Sequence, residues 1–87
     1  MIQDTEVTRV VFRTWKKGGE VIALFPDDKW TRGNSTLCNS YEHIGQHGGA
    51  DYQGVIYQTT PARLEDYYDL MRELEGIGYR LKIVRRK

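Results

Sequence analysis

The chain has 87 residues, 13 basic against 12 acidic side chains and a single cysteine. That length makes one domain, 1–87, near the lower limit of what folds alone, and one cysteine excludes an internal disulfide framework. The near-balance of charge excludes an association with nucleic acid or membrane driven by net charge, and no apolar run approaches the length of a membrane span.

In chain order, the start "MIQDTEVTRV" has no apolar h-region and does not read as a secretory leader, and the single cysteine fits a reducing cytosol, so a cytoplasmic setting is expected. Residues 7 to 16, "VTRVVFRTWK", are rich in the β-branched and aromatic residues of a strand. Gly18 and Gly19 follow as turn residues, and "EVIALFP" is apolar at successive positions until Pro26, as a strand covered on both faces would be. The two predict a hairpin. "DDKWTRGNS" reads as a loop around Trp30. "TLCNSYEHI" predicts a third strand, with Leu37, Asn39, Tyr41 and His43 on one side and Cys38, Ser40, Glu42 and Ile44 on the other. "GQHGGAD" reads as irregular, because of its glycines. "YQGVIYQ" fits either a short strand or a helical turn.

The strongest periodic signal begins at "TTPARLEDYYDLMRELEGIG". Thr60 is the expected N-cap and Pro61 the first helical residue. Leu64, Tyr67, Tyr68, Met71 and Leu74 follow helical spacing, with Leu70 widening the stripe and Glu73 among the outward charges. Gly76 and Gly78 offer left-handed endings, with Ile77 as the apolar contact. "YRLKIV" then alternates as a last strand. The expected fold is α+β: a small, mostly antiparallel sheet of four or five strands with one main helix in the C-terminal half, in the order strand, strand, loop, strand, loop, helix, strand. One helix covers one sheet face. The other must be covered by residues 26 to 58, by a second chain or by a ligand, and a bare apolar face of this kind predicts a homodimer.

The polar stretch "YEHIGQHGGADY" is the expected site. Tyr41, His43, Gln46, His47, Asp51 and Tyr52 would line it, and Arg9, Arg13 or Arg80 would supply charge. The histidines titrate near neutral pH and are expected on a functional surface, not in the core. Cys38, His43 and His47 fall short of a structural zinc set, and neither phosphate-loop pattern is present, so no metal and no cofactor is expected. Cys38 reads as a small buried residue on the third strand. Arg9 and Arg13 share one strand face, and Arg80 and Lys82 another; neighbouring strands would make them a positive stripe suited to phosphate.

Three stretches, "VVFRTWKKGGEVIALFP", "CNSYEHIGQHGGADY" and "ELEGIGYRLKIVRR", resemble small proteins encoded by bacteriophages, plasmids and integrated mobile elements of bacteria. The resemblance implies a genomic setting and carries no catalytic or binding residue with it. It makes a binding role the first expectation: a non-enzymatic accessory protein in the host cytoplasm, engaging a host macromolecule or a small phosphorylated ligand, with inhibition of a host defence system as one concrete form. The alternatives are a small hydrolase or nuclease using His43 and His47 as acid and base, and a nucleic-acid-binding regulator using the basic strand faces.

Overall fold

The structure is a computed structural model that describes residues 7–31, 34–42 and 46–85, without the side chains of 28–31, 34–36, 46 and 47. The elements are β1 (Thr8–Trp15), β2 (Val21–Thr31), β3 (Asn34–Glu42), β4 (Gln46–Asp51), α1 (Tyr52–Gln58), β5 (Thr59–Pro61), α2 (Leu64–Ile77) and β6 (Leu81–Ile83). They form an α+β fold of one six-stranded sheet and one main helix in the C-terminal half, two of its strands being only three residues long.

The sheet runs β4-β3-β2-β1-β5, antiparallel throughout, while β6 pairs with β1 in parallel. Gly18 and Gly19 close the first hairpin at φ 98° and 77°, a backbone region that side chains disfavour. β5 and β6 share one edge of β1. Thr59–Pro61 pair along residues 13–15 and Leu81–Ile83 along residues 8–10, and α2 makes the crossover between them.

Period-two alternation assigns the core to two faces. Val10, Phe12, Ala23, Phe25 and Tyr41 point to the first face, where Leu70 and Leu74 of α2 pack on them. Phe12 stacks on Tyr67 with centroids 4.4 Å apart, and Phe25 on Tyr79 at 5.1 Å. Val11, Ile22, Leu24, Cys38 and Ala50 point to the second face, beneath Val55 and Ile56 of α1 and beside Trp15 and Tyr52. The cover for that face therefore comes from within residues 26 to 58, as one of the sequence alternatives allowed. A bare face no longer motivates a homodimer.

Several boundaries differ from the expectation. "DDKWTRGNS" is not a loop through its length: β2 continues to Thr31 and β3 starts at Asn34. The ladder slips between Phe25 and Lys29, and this irregularity admits Pro26, which cannot donate a ladder hydrogen bond. "QHGGAD" is a strand, because its ladder to β3 supplies the order that glycine lacks by itself. "YQGVIYQ" is helical. Pro61 belongs to β5, and α2 starts three residues later at Leu64. Its N-cap is Arg63, whose backbone N–H donates to the Asp66 carboxylate at 3.2 Å. The buried stripe of α2 centres on Leu70 and Leu74, leaving Leu64 and Tyr68 exposed. Glu73 turns inward and accepts the phenolic O–H of Tyr41, since a buried phenol needs a polar partner. Gly78 ends the helix at φ 127°. Its N–H reaches Glu75 O and the N–H of Tyr79 reaches Leu74 O, the paired bonds of a Schellman ending. Tyr79 is the apolar contact there, while Ile77 is exposed.

Candidate functional site

The second face carries an open hollow of about 400 Å³ between β3, β4 and α1. Trp15, Ile22, Ser40, Glu42, Gly48, Gly49, Ala50, Asp51 and Val55 line it. Strand alternation brings them together: Ser40 and Glu42 sit two residues apart on one side of β3, and Gly48 and Ala50 do so on β4. Ile22 and Val55 give the floor an apolar surface. Gly48 projects no side chain into the hollow; a Cβ there would meet Ser40 Oγ at 3.9 Å, an ordinary contact. The glycine is thus required neither by its backbone angles nor by a clash, and its effect is open space.

Two hydrogen bonds hold the polar lining. The Trp15 indole N–H donates to Glu42 Oε2 at 3.1 Å, and the Ser40 hydroxyl donates to Gly48 O at 2.8 Å. Glu42 is half-buried, and among the described residues no other hydrogen bond or ion pair engages its carboxylate. Asp51 precedes α1 without capping it through its side chain. Its carboxylate lies instead over Gly54, where an added Cβ would come within 2.9 Å of Oδ2. The hollow therefore offers the Glu42 carboxylate, an indole and an apolar floor, while Asp51 sits at the other end of the β3–β4 ladder, opposite Leu37. The hollow suits a positively charged group with several N–H donors and a flat face, since a guanidinium can fork onto a carboxylate and stack on an aromatic ring.

Among the described residues, those expected from sequence to form a site fall in different parts of the fold. Asp51 lines the hollow and Tyr52 packs in the core beside it. Tyr41 is 1% exposed, on the opposite face of the sheet. Arg13 is buried under the end of α1 and donates to Thr59 Oγ1 at 2.9 Å, Thr59 O at 2.9 Å and Ile56 O at 3.1 Å. It serves the terminal carbonyls of that helix, a structural task. Arg9 forks onto Asp27 at 2.6 and 2.7 Å, and this bonding raises its already high pKa. Arg80 is exposed and leads into β6, at the edge of the sheet opposite β4. β1 and β6 are indeed neighbours with Arg9 opposite Lys82, but Asp27 offsets the charge of Arg9 and Arg13 is enclosed. His43 and the side chains of Gln46 and His47 lie outside the described residues, and with them the acid–base pair and the Cys38, His43 and His47 set. Cys38 itself is buried on β3.

Ser40 and Gly48 were missed, and Trp15 was not placed with the expected site. The signal was available in part: alternation along "CNSYE" sets Ser40 and Glu42 on the face away from Tyr41. Their meeting with Trp15 depends on the pairings β1–β2 and β2–β3. Gly48 becomes visible as a deliberate gap only once "QHGGAD" is read as a strand. No protein-family model, no curated protein and no solved structure matches the chain. Among the described residues no helix is long and apolar enough to cross a membrane.

Proposed function

We propose that this chain is a binding module that captures a cationic side chain of a partner protein, an arginine above all, in the hollow on the second sheet face. The observation that carries this reading is the carboxylate of Glu42, fixed at one oxygen by the Trp15 indole in a hollow whose floor is apolar. A guanidinium would fork onto Glu42 and lie against the indole. A small phosphorylated ligand suits the hollow poorly, because its charge would face Glu42. The resemblance to phage and mobile-element proteins makes a host protein the first partner to examine, in the host cytoplasm, with inhibition of a defence system as one form.

Tryptophan fluorescence during titration with N-acetylarginine amide tests the reading. Binding on the order of 1 mM, about −4 kcal/mol, is expected for so small a probe. The neutral isostere N-acetylcitrulline amide should bind at least about tenfold more weakly, a difference of roughly 1.4 kcal/mol. Glu42→Gln keeps an oxygen for the indole N–H but removes the charge, and should weaken the arginine probe by a similar factor. Equal binding of the two probes would contradict the proposal.

A further inference from the structure

We propose that the outer edge of β4 is a docking edge for an extended segment of the partner, which pairs with it as a seventh strand and sends an arginine over Gly48 into the hollow. The inference rests on the reading of the hollow as a guanidinium site and adds the backbone that delivers the guanidinium. β4 ends the sheet, and among the described residues nothing pairs with its outer side. Proteins guard such edges with lysines, prolines, bulges or very short strands. The opposite edge shows these devices: it is split between β5, which holds Pro61, and β6, which holds Lys82, each three residues long. β4 shows none of them. Its sequence QHGGAD has no lysine or proline, and six successive pairs join it to β3 without a slip.

The edge is also continuous with the hollow, because Gly48, Gly49, Ala50 and Asp51 form its wall. A strand added there would lie about 10 Å from β3, two strand spacings away. A short side chain on it would stop above β4, whereas an arginine extends further and meets no side chain at Gly48. Charge selects the occupant. Glu42 calls for a basic residue, and a second copy pairing through its own QHGGAD would present neither arginine nor lysine. Main-chain hydrogen bonds would supply affinity and the arginine would supply specificity, as in other strand-addition complexes.

The test uses the ¹⁵N-labelled full chain and a pool of N-acetylated, C-amidated pentapeptides with a fixed central arginine and varied flanks. N-acetylarginine amide is the reference probe. Pool members are expected to bind at least tenfold tighter than the reference and to slow hydrogen exchange at β4 amides. N-methylation of alternate peptide nitrogens should remove that gain. Gly48→Leu should abolish both peptide and reference binding, and Gly48→Ala, the milder change should leucine disturb folding, should weaken both. If the reference binds but no pool member exceeds it, edge docking is overturned while the hollow reading stands. If neither binds, the hollow reading fails and this inference with it. A doubled mass with β4 protection in the absence of peptide would also overturn the inference, by making a second copy the occupant.

Discussion

Arg13, expected from the sequence to supply charge to a ligand, is engaged in the structure at the end of α1. Its guanidinium reaches two carbonyls and a hydroxyl at the end of α1, while Thr59 Oγ1 also donates to Val55 O at 2.7 Å. Together they satisfy carbonyls that a helix C-terminus leaves without partners. Replacement by methionine keeps most of the apolar stem but removes the charged donors, while Ile56 O keeps the backbone N–H of Thr59 and Val55 O keeps the Thr59 hydroxyl. Charge-assisted bonds contribute about 1.5–3 kcal/mol, so Arg13→Met should destabilise by about 3 kcal/mol in urea unfolding. Arg13→Lys should recover little of this, because an ammonium lacks the planar fork. An unchanged midpoint in either variant would return Arg13 to the list of ligand contacts. The type of the residue was legible in the sequence; its partners were not, since Ile56 and Thr59 are more than forty positions away.

At the scale of elements, α2 was the most legible, because its apolar spacing is helical and Gly78 marks its end. Gly78→Ala should cost about 1–2 kcal/mol, since φ 127° suits glycine and no crowding complicates the substitution. A thermal melt that matches the parent would mean that the helix end relaxes to another geometry. The start of α2 was misplaced because Pro61 fits both a helix start and an edge strand, and its pairing with Arg13 decides between them. β4 was illegible for a related reason. Glycine has little strand preference of its own, so the ladder to β3 had to be present before residues 46–51 could be seen as extended. The candidate site was legible as a region and not as a constellation: Asp51 was named, while the opposing wall of Trp15, Ser40 and Glu42 comes from two other strands.

For the molecule as a whole, the sheet carries a helical cover on each face, α2 on the first and α1 on the second. Pairing of two chains was expected because the second face looked bare, and that motive has gone. Light scattering coupled to size-exclusion chromatography should therefore give the mass of one chain, 10.2 kDa, at high micromolar concentration. A stable dimer would call for an interface other than the covered faces. The central claim is that the hollow between β3, β4 and α1 receives a guanidinium, and chemical-shift mapping of the ¹⁵N-labelled chain with N-acetylarginine amide tests it most directly. The account predicts that the indole N–H resonance of Trp15 moves most, together with the backbone amides of Ser40, Glu42, Gly48, Gly49 and Asp51, and that Glu42→Gln suppresses these shifts. Shifts centred on Arg80 and α2, or an indole resonance that stays still through saturation, would contradict it.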